Sequence, residues 1–488
     1  MKKKIISCLL TITVTASLLA GCGGETNQVS GDKQTSTEDK QTSTEDKQDT
    51  SVGEESQEPE PVTITIGNWP SKDNDTYALR EKQREAFEEK YPYITVETDE
   101  YGYGVDTFLA KAAAGQLPDL FQTFFTEADK IITAGYAADI TEIFNNSIFA
   151  GNMEQDVLDL VTKDGRIYGV PQSAYSMGLY CNVNLFKEAG LVDEEGVPLF
   201  PTTWDEVAET AVAIKEKTGK AGFMIPVTNN QGGWIFSNIF WCFGGVYETQ
   251  EDGKWVATFD SEEGVAALQY LKDLKWKYNV MPDNVIGDLT AWTEKFGTDQ
   301  VAMGICHQPY ANSIISLTGM SKDSIAMTTI PSGPAGQMSQ MGGDIYMMAV
   351  GTTPEQQDAC LKWMEFSGNS PSMDEDAVAN YEASVKEISD MDWIVGAGGL
   401  TIWGDDAEVT IKQKEIDAKY ANVDLRLWPY AENPGAGITP EPPVNAQELY
   451  AALDAVIQEV LTNEDADCQA LLSEAAYNFQ RDYLDNAN

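Results

Sequence analysis

The chain has one histidine, His307, so any Ser/His/Asp or Cys/His relay would have to be built around that single imidazole. Zinc hydrolysis of the HExxH kind needs two histidines and is excluded. No GxxxxGK[ST] loop is present, and Tyr101-Gly102-Tyr103-Gly104 lacks the strand-to-helix setting of a dinucleotide fingerprint, so it reads as a mobile turn bearing two tyrosines. Two carboxylates flanking a bond could hydrolyse a glycoside, but among 78 acidic residues such a pair has no sequence signature. Beyond residue 61 the cysteines are Cys181, Cys242, Cys306, Cys360 and Cys468, an odd and widely spaced set without CxxC. They read as buried small hydrophobes, neither a disulfide framework nor a metal site. No catalytic residue, cofactor or metal is assigned, and His307 reads as a packed or cleft-lining side chain.

The elements that must position these groups alternate. Val62-Thr63-Ile64-Thr65-Ile66 has period two and stops at Gly67-Asn68-Trp69-Pro70, a strand feeding a turn. Helical spacing follows over Tyr77 to Lys90, a strand at Ile94 to Glu97, a helix at Thr107 to Ala114, a strand at Asp119 to Phe124 and a helix at Glu127 to Ala134. This β-α-β-α-β rhythm predicts an α/β fold with a parallel sheet and a ligand crevice beyond the carboxyl ends of its strands, where Trp69 and Phe124 to Glu127 fall.

The N-terminal segment predicts where the protein works. Lys2 to Lys4 precede an apolar stretch, Ile5 to Ala20, too short to span a bilayer, as in a secretory signal. Leu19-Ala20-Gly21-Cys22 resembles the lipobox of bacterial lipoproteins, which implies a signal over 1–21, a lipidated Cys22 and anchoring on the extracytoplasmic face of a bacterial membrane. Residues 22–61 read as a disordered acidic linker in which Asp32 to Glu38 repeats at Asp39 to Glu45. Before Val52 its one aliphatic side chain is Val29, too little to offset the entropy of ordering. The formal charge of −46 argues against nucleic acid as a partner, because a polyanion gains from basic patches. About 420 residues follow the linker, enough for two domains.

Ala86 to Val96 (AFEEKYPYITV) and Ala112 to Leu120 (AAAGQLPDL) resemble family 1 extracellular solute-binding proteins of ABC importers, the maltose- and oligosaccharide-binding group. Tyr168-Gly169-Val170-Pro171, Leu179-Tyr180-Cys181-Asn182, Leu185 to Gly190, Pro201 to Glu206, Gly244-Gly245, Val301 to Gly304 and Gly342-Gly343 continue the resemblance in order. It implies a periplasmic-binding-protein-like fold of two α/β lobes closing like a hinge, with crossings near Pro171 and Gly304. The lobes would comprise 62–170 with 304–365, and 171–303 with 366–488. It further implies a monomer that captures a carbohydrate, expected to be an oligosaccharide, and delivers it to a permease. A sugar needs flat apolar faces and planar polar groups. By position in the family pattern, Trp69, Phe124 and Glu127 would line the first lobe and Tyr175 and Trp234 the second. Tyr310 and Asp344 would follow the later crossings, and Trp403 would line the C-terminal lobe. Trp241, among Ile239, Phe240 and Phe243, reads as core. A surface glycoside hydrolase or lyase on a similar tether is the alternative.

Overall fold

The computed structural model describes residues 59–486 apart from Asp75 and Asp106. The signal, Cys22 and nearly all of the linker lie outside the described residues.

Strands β1 (Val62–Ile66), β2 (Ile94–Thr98) and β3 (Leu120–Phe124) pair in parallel, Val62 opposite Ile94 and Ile66 opposite Leu120, as the alternating pattern predicts. Strand β4 (Gly169–Pro171) follows. The chain then crosses into a second sheet of β5 (Tyr175–Asn182), β6 (Ala221–Phe223), β7 (Val301–His307), β8 (Ile325–Thr329) and β9 (Ser339–Gly342). It returns to the first sheet as β10 (Asp344–Met348), and β11 (Ile438–Pro440) closes the edge of the second. The sheet orders are β2-β1-β3-β10-β4 and β11-β9-β5-β7-β6, with β8 also pairing β5. Each sheet has its own core. One gathers Ile64, Phe87, Phe121, Ile345 and Trp363, the other Leu179, Trp204, Phe236, Trp292 and Leu453. These are the two lobes, and both belong to the unit that begins at Val62.

Helices cover the first sheet for reasons visible locally. Tyr77–Lys90 ends one residue before Tyr91-Pro92, and its Phe87 ring packs edge-on against Trp363, 5.2 Å away. An aromatic pair of this kind contributes about 0.5–1.5 kcal/mol beyond its buried area. Trp363 sits on the helix Pro354–Phe366, which starts from a Thr353/Gln356 capping box with proline at its first position.

The lobe boundaries differ from expectation at two places. Gly304 is no crossing. It lies in mid-β7 opposite Tyr180, where a Cβ would come within 2.1 Å of Trp292 Nε1, so its glycine serves close packing in the second core. The return occurs at Gly343, between β9 and β10, where a Cβ would meet the Ser173 carbonyl at 2.1 Å as the two crossing segments run side by side. Nor does 366–488 lie wholly in the second lobe. Met373, Ile402, Trp403 and Val409 pack into the first core, Ile394 and Ala397 between them reach the second, and from Leu427 on the chain's core residues belong to the second.

Candidate functional site

On the first lobe, β3 ends at Phe124 and turns through a tight 3-10 segment, Phe125–Glu127, into the helix Ala128–Thr133. This turn places Glu127 at 0% exposure. Tyr103 O–H donates to Glu127 Oε2, Lys130 Nζ stands 3.6 Å from the same oxygen, and Oε1 has no partner. Burial raises the Glu127 carboxyl, and Lys130 and Tyr103 only partly offset it. Beside it, the Phe124 ring meets Tyr103 edge-on at 6.0 Å. Asp344 pairs with Phe124 in the sheet register, accepts a 3.0 Å bond from Ser173 Oγ, and is likewise raised by burial. A row of amides extends this surface. Asn68 donates to Gln122 at 2.7 Å, Gln122 to Gln172, and Gln172 to Tyr346 Oη at 2.9 Å.

The second lobe contributes an aromatic corner. Tyr175 begins β5 and His307 ends β7, neighbouring antiparallel strands, so their rings meet 4.6 Å apart. Trp234, in the first turn of the helix Gln231–Cys242, stands perpendicular to Tyr175 at 6.3 Å and tilted to His307 at 6.3 Å. Tyr310 packs edge-on to His307 at 5.6 Å, its hydroxyl accepting from Thr293 at 3.1 Å. Burial lowers His307 to about 4, so the imidazole is neutral at pH 7, and its Nδ1 has no partner. Just past β11, Glu441 accepts 3.1 Å bonds from Tyr450 O–H and Gln340 Nε2. Burial pushes its carboxyl up to about 8; the bond from Tyr450 offsets part of that, nearby Glu127 adds to the rise, and Trp234 opposes it.

The lobes touch through the start of the helix Ala446–Thr462. Lys130 Nζ donates to Glu448 Oε1 at 2.6 Å, and Gln447 Nε2 donates to Thr126 Oγ1 at 3.4 Å. Desolvation alone would lower the Lys130 ammonium, but Glu127 and Glu448 outweigh it and hold it above its ordinary value. The same helix explains Gln231-Gly232-Gly233, which suits a loop by composition yet opens a helix. A Cβ on Gly233 would lie 2.6 Å from Tyr450 Cα, so glycine lets the two helices approach. Asp454 then accepts from Gly233 N and Asn230 N, each at 2.8 Å, and satisfies that helix start.

Of the residues singled out from sequence, the seam brings together Phe124, Glu127, Asp344, Tyr175, Trp234 and Tyr310. Two fall elsewhere. Trp69 is 4% exposed, its indole N–H donating to Glu81 at 2.9 Å and its ring held between Trp363 at 5.7 Å and the Arg80 guanidinium at 5.5 Å, which occupies it with the first core. Trp403 belongs to the first core, not the C-terminal lobe. It bridges to Met153 and stacks on Phe149 at 6.1 Å. Trp241 packs against the second core, edge-on to Tyr247. All five cysteines beyond the linker are free and buried.

The seam also holds Tyr103, Lys130, Gln340, Glu441 and Glu448, none of which sequence reasoning assigned. Tyr103 belongs to the segment read as a mobile turn. Its companion Tyr101 is 6% exposed and its own hydroxyl is bonded to Glu127, so both tyrosines are packed. The proline-flanked Pro440-Glu441-Pro442-Pro443 was the one available signal for Glu441.

Away from the seam, a concavity of about 770 Å³ lies between the helices Trp204–Thr218 and Glu262–Lys275, lined by Asp205, Glu209, Val212, Glu216, Tyr270 and Asp273. None of the buried side-chain polar atoms without a partner among the described residues lies in its lining, whereas Glu127, His307, Gln340 and Glu448 of the seam each carry one.

Two sheets of mixed α/β build, each with its own core and joined by crossings beside a polar and aromatic seam, define a two-lobed binding protein. The family model of the bacterial extracellular solute-binding proteins matches residues 82–395, and the chain belongs to that family. A lactose-binding protein of Rhizobium radiobacter is 29% identical over 197 residues, 39% of this chain and 44% of that protein. An arabinooligosaccharide-binding protein of Halalkalibacterium halodurans is 29% identical over 122 residues, 25% of each. The chain thus spans less than half the length of these curated relatives. Among solved structures, a tagatose-bound solute-binding protein of Thermotoga lettingae superposes with TM-score 0.63 at 22% identity, over 87% of this chain and 99% of that one. Maltose-bound MalE3 of T. maritima gives 0.61 at 21%, over 86% and 99%. A glycerophosphocholine-bound UgpB of Mycobacterium tuberculosis gives 0.64 at 16%, over 87% and 98%. At these identities the likeness is one of fold.

Proposed function

We propose that this protein is a membrane-anchored extracellular receptor that captures a carbohydrate, most simply an oligosaccharide, between its lobes and delivers it to the permease of an ABC importer. The observation that carries this reading is the corner of Tyr175, Trp234 and His307, set across the seam from the buried Glu127 and the half-buried Asp344. Flat rings suit the C–H face of a sugar, and carboxyl oxygens accept from its hydroxyls. The names of the lactose- and arabinooligosaccharide-binding relatives support the same class. Cys22 would carry the acyl chains and residues 22–61 would give the folded part reach, the receptor acting as a monomer.

Glu127 and Glu441, both raised by burial and with Glu127 adding to the rise of Glu441, give the glycoside hydrolase alternative its one specific observation. Incubation of the purified protein with di- to tetrasaccharides separates the readings. A receptor shifts its thermal midpoint and returns the ligand intact, whereas new reducing ends would mark an enzyme.

A further inference from the structure

We propose that the interlobe seam selects by charge, taking saccharides that are neutral or carry an ammonium group and rejecting uronates and sugar phosphates. This rests on the carbohydrate-receptor reading and narrows its substrate class.

The unpartnered buried atoms of the seam are mostly acceptors. Glu127 Oε1, Glu448 Oε2 and Gln340 Oε1 can only be satisfied by a group that donates, unless a carboxyl takes up a proton. His307 Nδ1 is ambivalent. Sugar hydroxyls and ammonium groups donate; carboxylates and phosphate dianions do not.

The charges point the same way. Four carboxyls, Glu127, Asp344, Glu441 and Glu448, meet one ammonium, Lys130, which is already engaged by Glu127 at 3.6 Å and Glu448 at 2.6 Å. Neither Asp344 nor Glu441 has an ion-pair partner among the described residues. Their donors are the neutral Ser173, Gln340 and Tyr450. Arg80, beside Tyr346, is held over the Trp69 and Trp363 rings and bonded to Gln83. An anionic ligand would therefore enter a site where, among the described residues, the ammonium beside Glu127 and Glu448 is already paired, close to carboxyls that burial already holds above their ordinary values. The ring faces of Tyr175 and Trp234 add to the bias, since they attract a cation as well as a C–H face. The glycerophosphocholine-bound neighbour shows that the fold itself does not set ligand charge. In this chain the side chains set it.

The test is calorimetric titration of the full chain at pH 7.5 with matched series: neutral gluco-, galacto-, manno- and xylo-oligosaccharides, glucosamine oligomers, the corresponding oligouronates, and glycerol 3-phosphate. The expected result is that the tightest neutral or amino saccharide exceeds every uronate and the phosphate by tenfold or more. Glu448→Gln, which frees Lys130, and Asp344→Asn should each narrow that ratio severalfold, with two positions tested so that one unstable variant does not decide the matter. A uronate or phosphate ester binding as tightly as the best neutral sugar overturns charge selection and leaves the carbohydrate reading intact only where that ligand is a sugar. Silence across every saccharide series overturns both.

Discussion

Lys130 of the first lobe donates to Glu448 of the second at 2.6 Å while standing 3.6 Å from the buried Glu127, so one ammonium ties two carboxylates across the interlobe seam. Breaking such a partly buried pair leaves both acids uncompensated, and the loss exceeds the value of the pair itself. Lys130→Ala is expected to cost about 1–3 kcal/mol of stability, read as a lowered thermal midpoint, and to weaken ligand binding because the closed arrangement loses its tie. The double variant Lys130→Ala, Glu448→Gln should recover part of the midpoint. A midpoint unchanged by Lys130→Ala would show that the tie carries no energy.

The tryptophans divide into two groups with opposite signatures. Trp234 is half-buried at the aromatic corner, so Trp234→Ala should cost under about 2 kcal/mol of stability yet weaken saccharide binding tenfold or more. Trp363 is 0% exposed among Phe87 and Trp69, and its truncation should cost about 3–5 kcal/mol. Chemical denaturation and calorimetry on both variants check this. Equal losses of stability would return Trp234 to the core.

Buried titrating groups predict how stability varies with pH. Glu441, raised to about 8 and Glu248, raised to about 7, both chiefly by burial, are protonated in the fold at pH values where the unfolded chain is ionised. The stability they contribute is complete below the unfolded carboxyl range near 4.5 and is lost as pH rises through 7 and 8. His307 acts in the other direction. Its stability is present above about 6.5 and is lost as pH falls toward 4. Thermal melts from pH 5 to 9 should therefore show Glu441→Gln gaining on the parent protein as pH rises. Parallel curves would place the Glu441 titration outside this range.

Anchoring is expected to depend on Cys22 alone. Cys22→Ala should move the protein from the membrane fraction to the soluble fraction of the producing cell and leave ligand affinity unchanged. Retention on the membrane would remove the lipid anchor from this account.

What was legible in the sequence was local. The strand Val62–Ile66 and the helix Tyr77–Lys90 follow from period-two and helical spacing, and the parallel pairing of β1 with β2 and β3 follows from their alternation with helices. Motif order indicated Tyr175 and Trp234, whose neighbours in the seam arise from strand register and one helix start. The boundaries failed where packing decides. Gly304 looks like any turn glycine until Trp292 is placed against it, and Trp403 resembles a ligand platform until Phe149 covers it. Glu448 was invisible, and Glu441 was marked only by its flanking prolines, for a different reason. In a chain of 78 acidic residues, only the approach of two distant segments distinguishes a buried carboxyl from a solvated one.

The central claim is that a carbohydrate binds in the seam between the lobes, and a thermal-shift titration of the purified chain against a broad neutral oligosaccharide panel tests it most directly. A ligand at a hundredfold excess over its dissociation constant contributes about 2.7 kcal/mol by mass action, so at least one sugar should raise the midpoint by several degrees, and Trp234→Ala should blunt that rise at the same concentration. A midpoint that stays flat across the whole panel would contradict a carbohydrate receptor.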